Sequence, residues 1–296
     1  MPYLGELSAL ATAFLWSGTS LAFSSAAEKT GSLQLNINRM IMASVLLIST
    51  ILIMNFSFNL SSSQYTNLII SGVIGLVIGD SFLFKGYRYI GARISMLLMA
   101  LSPAMSTLLA YIFLGERISF LGLIGIFVTL GGIALVVLGK ETDPNAKYKI
   151  TTVGLFFGFM GALGQSAGLI FAKFAFEEGD INGFVATFVR VFSSILILLP
   201  AALLIKRYKN PIRLYSNNKS AFGATLLGTI LGPYLGITCS LIAVANTKVG
   251  IAATLMSTMP IIMLPMLRYI YKEKLDWRAY TGAVLAVAGV AMLFLR

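Results

Sequence analysis

Asp80 is the acidic residue best placed to do chemistry, because it alone of the eleven acidic residues lies deep within a long apolar stretch. A charged side chain in hydrocarbon costs about 2.5–3.5 kcal/mol on insertion scales. The residue could therefore serve as a proton or cation site, or as the counter-ion of an amine. It could equally be structural, either paired with a basic residue or bonded to backbone beside Gly79.

Arg39 and Arg190 lie near the starts of two other apolar stretches and are 151 residues apart. Each could bind an anionic group of a small molecule. Each could instead extend its guanidinium to lipid headgroups while its stem stays in the apolar layer, and the sequence favours this second interpretation.

The composition determines which elements hold these groups. The chain of 296 residues is 57% hydrophobic and only 11% charged, whereas soluble domains carry about 25% charged residues. It has no histidine and a single cysteine, Cys239. These counts exclude a His/Cys metal site, an intrachain disulfide and a Ser/His or Cys/His catalytic pair, and we expect neither metal nor cofactor. The net charge of +11 is assigned to loops at the membrane surface, not to nucleic-acid binding.

Ten apolar runs are long enough to cross a bilayer as helices. They cover residues 4–25, 35–56, 66–86, 92–114, 119–139, 152–175, 182–205, 221–243, 249–271 and 277–295. The predicted fold class is therefore an all-α membrane protein with ten transmembrane helices. The first run has no charged segment before it and no small-residue cleavage site, so we interpret it as a span, not a signal peptide.

The two halves of the chain resemble each other. An offset of 157 residues aligns Pro103 with Pro260, Glu116 with Glu273, Arg117 with Lys274, Phe120 with Trp277, Gly125 with Gly282 and Gly132 with Gly289. An offset of 153 aligns Gly75 and Gly79 with Gly228 and Gly232. We expect a first five-helix repeat over 1–140, a connector over 141–151 and a second repeat over 152–296. Because five is odd, the second repeat would enter the membrane from the opposite side, as in many transporters built from inverted repeats.

Glycines and prolines punctuate these runs. Glycine pairs spaced four apart, including Gly75/Gly79 and Gly164/Gly168, predict close helix packing within one chain more than dimerisation. Pro103 and Pro260 each remove a backbone donor within a run, and their equivalent positions make them candidate symmetric hinges.

Residues 92–139 resemble the EamA-type ten-helix members of the drug/metabolite transporter superfamily. The shared pattern is a mid-helix proline, a Gly-Glu pair at the helix end (Gly115-Glu116) and a last helix punctuated by glycine. The first run, with Trp16 among small residues, is also similar to the first helix of that family. Two positions of the second half depart from the pattern, namely Lys272 before Glu273 and Gln165 where Trp16 would repeat.

The resemblance implies a membrane exporter or exchanger of small metabolites, with a central cavity formed mainly by the first four helices of each half. Trp16, Gln165, Tyr234 and Asn246 are the further candidates for lining it, because aromatic walls with a few polar groups suit mixed apolar and polar ligands. Helix packing is the alternative role for each of them. The expected partners are a small-molecule substrate and membrane lipids, with the chain a monomer or a homodimer.

The predicted function is secondary transport by alternating access in the cell membrane, with proton coupling through Asp80 as one option. The alternative is a structural or receptor-like membrane protein that transports nothing. A membrane-embedded enzyme is disfavoured because only one carboxylate lies deep within an apolar run. Gly139-Lys140 is followed by Glu141 and lacks the upstream glycine of a nucleotide-binding P-loop, so we expect transport to be driven by gradients and not by ATP hydrolysis in this chain.

The charge distribution and the family resemblance predict opposite orientations of the chain in the membrane. Most lysines and arginines fall in alternate loops, and the positive-inside rule places those loops in the cytoplasm and both termini outside. The resemblance implies cytoplasmic termini.

Overall fold

The computed structural model describes residues 3–99, 101–138, 151–259, 261–262 and 277–294, and within these ranges the chain is almost wholly helical and has no strand. The helices are α1 (Leu4–Thr30), α2 (Ser32–Ile53), α3 (Ser62–Gly72), α4 (Asp80–Met99), α5 (Ser102–Leu114), α6 (Phe120–Leu138), α7 (Thr152–Glu177), α8 (Gly183–Leu204), α9 (Pro211–Ser216), α10 (Lys219–Thr229), α11 (Ile237–Asn246), α12 (Val249–Met256) and α13 (Trp277–Phe294). Two π-helical segments, π1 (Val73–Gly79) and π2 (Ile230–Gly236), join α3 to α4 and α10 to α11.

Six helical stretches of the described part are long and apolar enough to span a membrane. They are Leu4–Ala27, Ser32–Ile53, Ser62–Gly86, Thr152–Glu177, Gly183–Leu204 and Lys219–Asn246. Three shorter apolar helices fall on the predicted spans four, five and ten. The predicted ninth span begins as α12, but most of its second part lies outside the described residues, as does the connector up to residue 150.

The segments α3–π1–α4 and α10–π2–α11, which we call the third helical unit of the first and of the second half, have the same construction. Eleven α-helical residues precede seven π-helical residues in both units, and the two units are offset by 157 residues. The predicted offset of 153 is therefore wrong, and Gly75 and Gly79 correspond to Gly232 and Gly236. The sequence allowed both registers because Gly228, Gly232 and Gly236 form two overlapping pairs. Asp80 consequently corresponds to Ile237, whereas the offset of 153 would pair it with Pro233.

Each half also contains a helix break at the same place. The backbone N–H of Leu101 donates to Leu98 O at 3.0 Å, and that of Thr258 donates to Leu255 O at 3.2 Å, again 157 residues apart. Pro103 is the second residue of α5, where a missing backbone N–H costs nothing. It therefore lies in the first turn after a break and does not kink a continuous helix. Pro260 lies outside the described residues.

Helices α6 and α13 pack against each other through repeat-related glycines. A β-carbon on Gly132 would lie 2.5 Å from Gly282 O, and one on Gly289 would lie 2.7 Å from Gly125 O. The 157-residue offset converts each contact into the other. Since the residue number falls on one helix as it rises on its partner, the two helices are antiparallel.

The other helices also exchange partners between halves. α1 packs against α10, π2 and α11, while α7 packs against α3, π1 and α4, and α2 packs against α8. Thus the first helix of each half lies on the third helical unit of the other half. The core of the molecule is the interface between the halves.

Corresponding helices begin at opposite ends of the bundle. Near the start of α1, Glu6 accepts a hydrogen bond of 3.0 Å from Thr247 Oγ1. Lys173, close to the end of α7, donates at 3.0 Å to Val244 O and at 3.4 Å to Thr247 O. The start of α1 and the end of α7 therefore share one end of the bundle, which we call the N-terminal end. At the other end, Lys29 Nζ lies 2.9 Å from Ser220 Oγ.

Candidate functional site

Asp80 reaches the middle of the bundle because glycines let two helical backbones meet. A β-carbon on Gly164 would lie 2.7 Å from Cα of Gly79, and one on Gly168 would lie 3.0 Å from Cα of Gly75. These contacts confirm the predicted glycine packing within one chain. The close approach brings Gln165 of α7 to the first residue of α4, and its Nε2 donates a hydrogen bond of 2.6 Å to Asp80 Oδ1.

π1 sets the direction of the Asp80 side chain. The backbone N–H of Asp80 donates to Gly75 O across a five-residue π-turn, and Gln165 Nε2 also donates to that oxygen at 3.3 Å. π-Helical turns inside α-helices are frequent at functional sites. The equivalent π-turn from Ile237 to Gly232 in the second half carries no charged side chain.

Arg39 forms an ion pair with Asp80 inside the bundle. Its Nη2 contacts Oδ2 of Asp80, and its Nε donates a hydrogen bond of 2.8 Å to Asn36 Oδ1. The guanidinium also lies 5.4 Å from the ring centre of Phe23 and 5.2 Å from that of Phe84. These contacts hold Arg39 among protein groups, whereas the interpretation favoured from the sequence placed it at lipid headgroups.

Arg190 interacts with Asp80 through its charge and is only 2% exposed. A β-carbon on Gly75 would lie 3.1 Å from its Nη2. Its Nε is buried and has no hydrogen-bond partner in the described part of the chain. We call Arg39, Asp80, Gln165 and Arg190 the central cluster.

The central cluster is symmetric in its cations and asymmetric in its anion. Arg39 and Arg190 are each the eighth residue of a 22-residue helix. At 1.5 Å per residue, each lies about 10 Å from the start of its own helix. Asp80 has the uncharged Ile237 as its counterpart. Two equivalent guanidinium groups therefore share one carboxylate.

Trp16 and Tyr234, two further predicted site residues, lie around π2. A β-carbon on Gly236 would lie 2.5 Å from Trp16 Nε1, while one on Gly79 would lie 3.2 Å from the backbone N of Gln165. Trp16 and Gln165 thus occupy corresponding places, as the repeat predicts. The Tyr234 hydroxyl lies 2.8 Å from Thr50 Oγ1 and joins π2 to α2.

Asn246, the last predicted pathway residue, lies apart from the central cluster. It ends α11, and its Nδ2 donates a hydrogen bond of 2.8 Å to Ile242 O. It lines a cavity of about 420 Å³ at the N-terminal end of the bundle, together with Glu6, Ser119, Thr247 and Lys248.

Asn36, which accepts a hydrogen bond from Arg39, was not identified from the sequence. Its position three residues before Arg39 on the same helix was a usable signal. The adjacent positions of Glu116 and Arg117 predict an interfacial charge pair, but the structure gives Glu116 another partner. Its carboxylate accepts a hydrogen bond of 2.9 Å from the backbone N–H of Val249 at the start of α12. Burial raises the pKa of Glu116 above its ordinary value, and the Val249 bond opposes that rise.

The described residues contain no group of three or more His, Cys, Asp or Glu side chains that could hold a metal ion. The side chains of the central cluster can form ion pairs and hydrogen bonds, as they do here.

The fold and the two-repeat organisation of this chain also occur in known proteins. One solved structure, described only as the crystal structure of a protein, is 16% identical to this chain, superposes with a TM-score of 0.78, and is matched over 98% of both chains. At that identity the likeness shows a shared fold. No curated protein has a significant match. The model of the EamA-like transporter family matches residues 3–138 and again residues 152–295, so almost the whole chain is accounted for by two copies. The chain belongs to the EamA-like transporter family of membrane proteins.

Proposed function

We propose that this protein is a secondary transporter that exports or exchanges a small metabolite by alternating access. The observation that carries the proposal is the central cluster, in which one carboxylate interacts with the equivalent guanidinium groups of the two halves. Ionisable groups inside a membrane bundle are costly and typically mark a substrate or ion pathway.

The packing of the halves supports the alternating mechanism. The first helix of each half lies on the third helical unit of the other, and α6 is antiparallel to α13. Ten crossings as two inverted five-helix repeats follow if the remaining runs also span the membrane. Two inverted copies can exchange conformations, so the states open to either side have similar free energy.

Asp80 is the switching group in this mechanism. It pairs with Arg39 here, and exchange of the halves would bring the carboxylate to Arg190, because the two arginines occupy equivalent positions. A proton or a substrate cation would compete with both arginines for Asp80. Coupling to a pH gradient therefore requires that the ionised carboxylate of Asp80 binds and releases a proton during transport.

The test uses purified protein in proteoliposomes loaded with radiolabelled amino acids, nucleosides, sugar phosphates or 2-oxo acids. We expect saturable flux of at least one class, which an imposed pH gradient increases. Asp80→Asn should abolish the effect of the gradient and leave the folded fraction intact, as judged by size-exclusion chromatography. Asp180→Asn is the matched control, because Asp180 is exposed in the α7–α8 loop.

Two results would contradict the proposal, one its coupling role for Asp80 and the other its transport function. Flux that Asp80→Asn leaves fully sensitive to the gradient would remove the coupling role. Complete absence of flux for every class, with folded protein, would favour the non-transporting structural or receptor-like alternative.

A further inference from the structure

Arg190 is a buried cation, only 2% exposed, whose Nε–H has no hydrogen-bond partner in the described part of the chain. Its Nε is fully enclosed, and no acceptor lies within hydrogen-bond distance of it among the described residues. Arginine stays charged in proteins and carries five N–H donors. A buried charge without partners is strongly unfavourable. The arrangement therefore calls for an acceptor that the described residues do not supply.

Arg39 provides the comparison within the same molecule. Its guanidinium has a carboxylate, an amide oxygen and two aromatic rings as partners. Asp80 in turn accepts from both Arg39 and Gln165. Each of its two oxygens thus has a partner other than Arg190, which interacts with Asp80 only through its charge.

The charge balance points the same way. The two guanidinium groups of the central cluster share a single carboxylate, which leaves one net positive charge in a region of low dielectric constant. An ion pair is tolerated in such a region far better than an excess charge. Neutrality requires one more negative charge, and the substrate is the species that enters this region.

From these observations we infer that Arg190 is the subsite for an oxyanion group of the substrate, a carboxylate or a phosphate ester. The inference rests on the transport function proposed above and narrows its substrate class. The planar guanidinium binds both groups through two parallel hydrogen bonds, which makes arginine better suited than lysine to the task. The Nε edge, which is unused here, is one of the edges able to form such a pair.

The experiment measures ligand-induced thermal stabilisation of the purified full-length protein. The probes are two matched pairs, 4-methyl-2-oxopentanoate against its amide and glycerol 3-phosphate against glycerol. We expect at least one anion to raise the melting temperature in a saturable way, since a ligand that binds only the folded state stabilises it. Its neutral counterpart should have no effect. The pair that responds distinguishes a carboxylate from a phosphate ligand.

Variants assign the effect to Arg190. Arg190→Gln should weaken binding of the active anion by about tenfold or more, the loss expected for a charged hydrogen-bonded contact. Arg213→Gln should leave it unchanged, because Arg213 is an exposed arginine of α9. Asp80→Asn should tighten binding, since it raises the positive charge of the cluster. If Arg190→Gln does not fold, Arg190→Lys keeps the charge but loses the paired geometry, and it should bind with reduced affinity.

Three results would overturn the inference. They are equal stabilisation by an anion and its neutral counterpart, full retention of binding in Arg190→Gln, and no response to either anion. Flux of a neutral or cationic solute without anion binding would refute the oxyanion subsite and leave the transport proposal standing. Anion binding without flux of any solute would support the oxyanion subsite and refute the transport proposal.

Discussion

Gln165 donates a 2.6 Å hydrogen bond to Asp80 and thereby joins the first helix of the second half to the third helical unit of the first half. The contact crosses the interface that must rearrange if the halves exchange conformations. It also depends on glycines at Gly75, Gly79, Gly164 and Gly168, because any larger side chain would hold the two backbones apart. The electrostatics and the packing of this interface are therefore coupled.

Asp80→Asn should destabilise the protein more than Arg39→Gln. The first change leaves two buried guanidinium groups without a carboxylate, whereas after the second Asp80 still has Gln165 and Arg190 nearby. Removing one partner of a buried ion pair costs about 3–5 kcal/mol, and we expect Asp80→Asn to approach the lower value. Denaturant titration of the free energy of unfolding in micelles measures both changes.

A double-mutant cycle measures the interaction energy between Arg39 and Asp80. Arg39→Gln with Asp80→Asn should cost less than the two single changes together, with a coupling of about 1–3 kcal/mol. Additive effects would mean that the ion pair contributes nothing specific to stability.

Gly164→Ala should lower the free energy of unfolding by about 1–3 kcal/mol, because overpacking forces backbones or side chains to shift. The added β-carbon would lie 2.7 Å from Cα of Gly79. Gly223→Ala is the control, since a β-carbon there would have no atom within 4 Å and the residue is also helical. It should raise stability by about 0.5–1 kcal/mol, because alanine favours a helix more than glycine does. Equal effects at the two positions would contradict the close approach of α7 to π1.

Glu116 should make stability depend on pH in the direction opposite to that of an ordinary ion-paired carboxylate. Burial raises the pKa of Glu116 in the folded state above its ordinary value of 4.5, so the folded protein holds the proton more tightly than the unfolded chain. The contribution to stability is fully present below the ordinary value and is lost as pH rises through the raised pKa.

A pH series of unfolding measurements on wild type and Glu116→Gln isolates this contribution. The wild-type free energy of unfolding should fall relative to that of the variant as pH rises above about 4.5. The charged neighbours Lys173, Glu177 and Lys248 are the same in both proteins. A difference that rises with pH would show that the Val249 hydrogen bond outweighs burial.

The orientation of the chain can be tested at either terminus. The end of the bundle opposite the N-terminal end carries Lys29, Lys85, Arg207, Lys209, Arg213 and Lys219, and the positive-inside rule places it in the cytoplasm. We therefore expect a reporter fused to the N-terminus to be active only if it requires the outer compartment. Activity of a reporter that requires the cytoplasm would support the orientation implied by the family resemblance.

The chain's own composition determined the large features. Its apolar runs, sparse charges and aligned glycines and prolines indicated a helical membrane protein of two related halves, and the family match agrees. These features follow from hydropathy and spacing along a single helix, which the order of residues contains directly. The sequence also identified all four members of the central cluster as candidates.

Only the tertiary structure decided how those candidates combine. The sequence could not show that Asp80 pairs with Arg39 or that Gln165 bridges to it. Nor could it show that Arg190 Nε has no acceptor in the part of the chain that the structure describes. It also left the register of the third helical units open, because three evenly spaced glycines allow two alignments. Such contacts depend on the rotation and separation of helices from different halves. Those are set by packing between residues more than 80 positions apart, such as Gly79 with Gly164.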